Sequence, residues 1–186
     1  MTKLPFFLYC NFATVIKYSK KTKIMGLSYL GIFHTVIGII AIIAAVVGFV
    51  KNGKIDLSLI TGKIYFYLTL ITSLTALGLS KHGGFNPGHI FALFIVVLIV
   101  VAYLLHSKKK GNNRARFFEN FFLSFSFFLS LVPTVNETFT RVPIGHPLAK
   151  GPTDAIIGQT LLGLFVLFVI GCFIQFRTQR KINRMS

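Results

Sequence analysis

Five histidines and four acidic residues hold most of the reactive chemistry in this 186-residue chain. His34, within HTVIG, stands about eight residues inside a long apolar run. No Asp, Glu, Lys or Arg is expected deep in any apolar run, which makes His34 the one ionisable group there. An ionisable side chain at membrane depth is costly and points to function unless a partner satisfies it. His89 opens a second apolar run, in GGFNPGHIFAL. Two histidines at matching depth on two helices could supply the axial ligands of a haem b, in a haem- or quinone-linked electron carrier. The alternative is a neutral imidazole hydrogen-bonded to a Thr or Ser of a neighbouring helix, a bond worth about 0.6–2 kcal/mol in a membrane. No H-E-x-x-H or paired-carboxylate spacing supports a metal centre. Cys10 and Cys172 form no C-x-x-C pair, so no redox motif or zinc site is signalled.

A second cluster lies in LVPTVNETFTRVPIGHP, residues 131–147. Glu137 and Arg141 have the favoured order and spacing of a helical ion pair. Thr134 and Glu137 have capping-box spacing, so a short helical turn is expected to begin at Thr134 and to end before Pro143. With His146, His82 and His89 nearby, a histidine-rich rim results. The candidate ligand-binding residues are therefore His34, His82, His89, Glu137, Arg141 and His146. Asn136-Glu137-Thr138 also fits an N-glycosylation acceptor, which matters only in a secretory-pathway host.

These residues need a scaffold, and the composition names it. The chain is 54% hydrophobic and 13% charged, against about a quarter charged in soluble domains. Five apolar runs, 26–50, 64–80, 87–106, 117–135 and 155–176, can each cross about 30 Å of hydrocarbon at about 1.5 Å per residue. None alternates with period two, so strands are excluded. Asn86 before Pro87 and Asp154 before Ala155 read as N-caps. The expected fold is all-α, a membrane bundle of five transmembrane helices over residues 25–176, with a basic tail over 177–186. Tyr65, Thr69, Thr72, Ala76 and Ser80 form a stripe at helical spacing, and Ala41, Ala45 and Gly48 a small-residue face; both suit close helix packing. The phenylalanines of 117–128 read as lipid-facing or interhelical filler.

Basic residues set the expected orientation. One side would hold Lys51, Lys54, Lys63, Lys108, Lys109, Lys110, Arg114, Arg116, Arg177, Arg180, Lys181 and Arg184, twelve in all. The other would hold Lys81, Arg141, Lys150 and five N-terminal lysines, Lys3, Lys17, Lys20, Lys21 and Lys23, eight in all. The first side is read as cytoplasmic, with the N-terminus outside. A start at Met25 would remove the five lysines, so residues 1–24 are expected to be an upstream extension or loose tail. An interfacial amphipathic helix over 4–16 is the alternative. The net charge of +16 then reflects anionic lipid headgroups at the cytoplasmic face rather than nucleic acid.

The order of HTVIG, a basic loop into TGKIYFYLTLITSLTAL, GGFNPGHIFAL, an Arg-containing loop and VPTVNETFTRVPIGHPL resembles uncharacterised bacterial multi-span integral membrane proteins of the domain-of-unknown-function type. The resemblance covers roughly residues 25–176. It implies a bacterial inner-membrane protein and supplies no catalytic residues. LSLITGKIY lacks the histidine, and NNRARFFEN the Arg-x-His pattern, that the broader group carries. The leading expectation is a non-catalytic or unassigned integral membrane protein whose outer polar rim binds a small ligand, lipid or partner. A driven transporter is disfavoured, since His34 alone could relay protons and five spans divide poorly into inverted repeats. A small-solute permease remains a further class. Mass spectrometry of the native N-terminus tests the late start: the first peptide should begin at or just after Met25, and one beginning at Thr2 overturns the reading.

Overall fold

The computed structural model describes residues 29–79, 87–108 and 112–185, with side chains to residue 183. The expectations for the N-terminal tail, Ser80, His82 and the Asn86 cap fall outside the described residues. Among the described residues there are five helices and no strand: α1 Tyr29–Asn52, α2 Ile60–Ala76, α3 Pro87–Lys108, α4 Asn113–Arg141 and α5 Ala155–Met185. The all-α expectation holds. By length and composition, α1, α3, α4 and α5 can each cross a membrane. With 17 residues, α2 is about 25 Å long, short of the roughly 30 Å hydrocarbon core.

Each helix end has a local cause. Asn112 Oδ1 accepts the N–H groups of Arg114 and Ala115 at 2.9 and 3.2 Å, capping α4. Asp154 Oδ1 accepts the Ile156 N–H at 3.4 Å at the start of α5. The helical turn expected to begin at Thr134 is instead a continuation of α4, which runs through Pro133 to Arg141. The Thr134 hydroxyl donates back to the Ser130 carbonyl at 2.8 Å, a mid-helix bond rather than a cap. Helix α4 stops where Val142, extended before Pro143, leaves the α region.

Helices α1 to α4 form a ring in which each packs on the next, and α4 closes the ring against α1. Helix α5 lies outside the ring and, among the described helices, packs on α4 alone. The buried face of α1 is built from Gly31, Ala41, Ala44, Ala45 and Gly48, as the small-residue pattern suggested. Its large residues, among them Ile39, Ile43 and Val50, point outward. That is the arrangement of a helix bundle in lipid, where small residues admit a neighbour and large ones meet acyl chains.

The α1–α2 connection is folded tightly onto the helices it joins. Gly53 takes a left-handed φ of +68° and donates its N–H to the Phe49 carbonyl at 2.9 Å. Asp56 Oδ1 accepts the Ser58 N–H at 2.9 Å, and its other oxygen lies 3.2 Å from Lys54 Nζ. Burial pushes the Asp56 carboxyl up, but the Ser58 N–H and the Lys54 ammonium outweigh it and hold the group below the ordinary carboxylate range. Ile55 and Leu57 turn inward and are buried. Gly62, in the first turn of α2, lies against this loop so closely that a Cβ would fall 2.0 Å from the Asp56 carbonyl oxygen. The Thr61-Gly62-Lys63 lead-in is thus the first turn of α2 and not a linker before it. Gly62→Ala should cost about 1–3 kcal/mol, the usual range for overpacking, read as a lower Tm in detergent; an unchanged Tm would show that the loop is not seated there.

Candidate functional site

The ring has a polar group of residues at each end and hydroxyls between them. At the end opposite the α1–α2 loop, His34 Nδ1 donates to the Thr72 carbonyl of α2 at 3.0 Å, with Thr75 Oγ1 at 3.1 Å. The Thr75 hydroxyl itself donates to the same carbonyl at 2.9 Å. His34 is half-buried, and Glu137 is close enough to act on it electrostatically. Glu137 and Arg141 form the expected i,i+4 ion pair, both side chains largely exposed; an exposed pair of this kind adds little stability. His89 is buried, and its Nε2 donates to the Leu79 carbonyl at 3.3 Å. His146 is exposed on the loop after α4, with its backbone N–H on the Pro143 carbonyl.

His34, Glu137 and Arg141 therefore share one end of the ring. His34 and His89 are anchored on different carbonyls, Thr72 and Leu79, seven residues apart. His82 lies outside the described residues. Among the described residues, no three His, Cys, Asp or Glu side chains come together as a metal site. Two buried oxygens on the described helices have no hydrogen-bond partner, Thr72 Oγ1 and Asn136 Oδ1. They belong to the stretches of α2 and α4 that carry the His34 carbonyl partner and Glu137.

Below this end the ring interior carries hydroxyls. Tyr65 of α2 is fully buried and lies 2.8 Å from Ser126 Oγ of α4. The Ser126 hydroxyl donates to the Leu123 carbonyl at 2.8 Å, which leaves Tyr65 as the donor to Ser126. Thr69 and Ser130 flank the phenol. The α2 stripe does face its neighbours, and Tyr65 is its longest reach.

The opposite end holds residues that sequence reasoning passed over. His106 Nδ1, at the end of α3, donates to Glu119 Oε1 of α4 at 2.8 Å. Glu119, two residues inside the run 117–135, is 8% exposed and is a buried acid that the sequence reading did not single out. Asn120 Nδ2 donates to Gln179 Oε1 at 3.3 Å, and Ser124 Oγ to Gln175 Oε1 at 3.0 Å. Gln175 Nε2 then donates to the Gly53 carbonyl at 3.0 Å, joining α5 to the α1–α2 loop. The signal for Glu119 was its setting, RFFENFF, where an acid between aromatic pairs calls for a buried partner. Among residues whose side chains are described, Lys51, Lys54, Lys63, Lys108, Arg114, Arg116, Arg177, Arg180 and Lys181 gather at this end, against Arg141 and Lys150 at the other.

Four helices long and apolar enough to cross a membrane, with large apolar side chains exposed on their outer faces, define a helical membrane protein. No known protein family, characterised protein or solved structure matches this chain.

The His106–Glu119 pair should be energetically coupled. In a double-mutant cycle with His106→Ala and Glu119→Ala, the coupling in thermal or denaturant unfolding should reach about 1 kcal/mol or more. Additivity within about 0.3 kcal/mol would show that the two side chains do not act together.

Proposed function

We propose that this chain is an integral membrane protein that holds a small hydrogen-bond-donating ligand inside its α1–α4 ring, at the His34 end. That end faces outward, and the basic end lies on the cytoplasmic side of a bacterial inner membrane, in keeping with the nine-to-two division of basic residues whose side chains are described. The carrying observation is the pair of buried, unpartnered oxygens, Thr72 Oγ1 and Asn136 Oδ1. Buried polar atoms are almost always satisfied, and a pair left open implies a polar guest or ordered water. The surroundings favour a donor: with Nδ1 given to Thr72, His34 keeps Nε2 as an acceptor. A small primary amine or ammonium matches that set.

A second reading, a small-solute permease, rests on the hydroxyls of Thr69, Tyr65, Ser126 and Ser130, which lead from this site toward Glu119. Fully buried Leu123 stands between Ser126 and Glu119.

Methylammonium and tetramethylammonium carry the same charge, and only the first donates hydrogen bonds. Methylammonium should raise the Tm of the protein in lipid nanodiscs, tetramethylammonium should not, and Thr72→Val/Asn136→Leu should abolish the difference. Equal effects of the two cations, or a shift that survives in the double variant, would overturn the binding site. Uptake of labelled methylammonium by proteoliposomes separates the two readings: uptake blocked by Ser126→Leu makes the protein a permease, and binding without uptake keeps it a binding protein.

A further inference from the structure

We propose that a groove between α4 and α5, at the basic end, is a binding site for an anionic phospholipid. Its acyl chain lies between phenylalanine walls and its phosphate on Arg114 and Arg177. This site lies outside the ring and does not depend on the ligand proposed at the His34 end.

The groove has a volume of about 660 Å³, within the roughly 300–1,000 Å³ typical of ligand sites. Phe117 and Phe121 of α4 and Val169, Phe173 and Phe176 of α5 line it. The Phe117 and Phe176 rings meet at 4.8 Å near its head. Its two amides are already engaged: Asn120 is bonded to Gln179, and Gln175 to Ser124 and the Gly53 carbonyl. The walls are therefore apolar, and the amides are not turned toward a soluble guest. The groove sits on the outer side of the ring, beside the lipid-facing surface of α5.

The head of the groove is cationic. Arg114 lines it, three residues before Phe117. Arg177 follows Phe176 directly, and its guanidinium lies over the Phe173 ring, 5.5 Å from the centroid. That stacking holds the planar group and leaves its N–H edge available for a phosphate. Among the described residues, neither arginine is in an ion pair.

Charge decides the occupant. The chain has only four acids, and each is engaged: Asp56 by Lys54, Glu119 by His106, Glu137 by Arg141 and Asp154 at the α5 cap. A second copy has the same shortage of acids, and residues 1–28 carry five lysines and no acid. Neither can supply an anion to the two arginines. A phospholipid phosphate can, and its chain suits the walls.

Native mass spectrometry of the full chain, titrated with dioleoyl phosphatidylglycerol or dioleoyl phosphatidylcholine, tests this. Phosphatidylglycerol should be retained more strongly, and Arg114→Gln/Arg177→Gln should lower its retention about tenfold or more, to the phosphatidylcholine level. Val169→Trp, which fills the groove, should weaken both lipids. Should the double arginine variant fail to fold, the wild-type preference for phosphatidylglycerol is read against salt, where it should fall as salt rises. Equal retention of the two lipids by the wild type, a preference indifferent to salt or to loss of the arginines, or a lipid-independent dimer with the groove protected would each overturn the proposal.

Discussion

The hydrogen bond between Tyr65 and Ser126 sets the cross-section of the ring. Helices α2 and α4 stand diagonally opposite, and their backbones do not pack on each other. Tyr65 reaches across the gap, and its phenol finds Ser126 at 2.8 Å. In hydrocarbon, an unsatisfied hydroxyl costs several kcal/mol, so the tyrosine can occupy this position only with a partner on the far wall. That requirement fixes the rotation of both helices. With Tyr65 pointed inward, Thr69 and Ser73 of α2 are buried, as are Leu123 and Ser126 of α4. The polar groups at both ends then fall on the inner face of the same two helices.

The five helices were legible because apolar runs bounded by basic or turn residues have few other solutions in a membrane. The α5 start was legible too, since Asp154 caps in a way that sequence proximity alone requires. The start of α2 was not. Thr61-Gly62-Lys63 reads as a basic lead-in to a span beginning at Ile64, and only the contact of Gly62 with the Asp56 carbonyl shows why a glycine sits inside a first turn. The Thr134–Glu137 spacing failed for a related reason. A Thr three residues before a Glu reads the same at a helix start as in a helix middle, and α4 runs through Pro133 without a break.

Of the candidate site, the Glu137–Arg141 pair was readable because i,i+4 contacts are local. The imidazole of His34 found partners on α2, the Thr72 carbonyl and the Thr75 hydroxyl, close to the quieter explanation that the sequence offered. Glu119 was hidden by averaging: hydropathy over RFFENFF is dominated by four phenylalanines, and the partner, His106, comes from a different helix. Contacts between α5 and the α1–α2 loop, such as Gln175 with the Gly53 carbonyl, span more than a hundred residues and leave no trace in local patterning.

The position of α5 bears on how the protein is assembled. A helix that packs on one of the other described helices is not needed to close the ring, and it is the last of the five to be synthesised. Helices α1 to α4 can therefore complete their circuit while α5 is still emerging. Its docking afterwards resembles the closing of a zip: Phe168 meets Phe125 and Phe128 at 5.6 and 5.3 Å, and Phe165 meets Phe128 at 5.7 Å. Aromatic edges and faces tolerate sliding by a fraction of a turn, so the register comes from the amides at the basic end. Gln175 and Gln179 act as the stop that halts the slide.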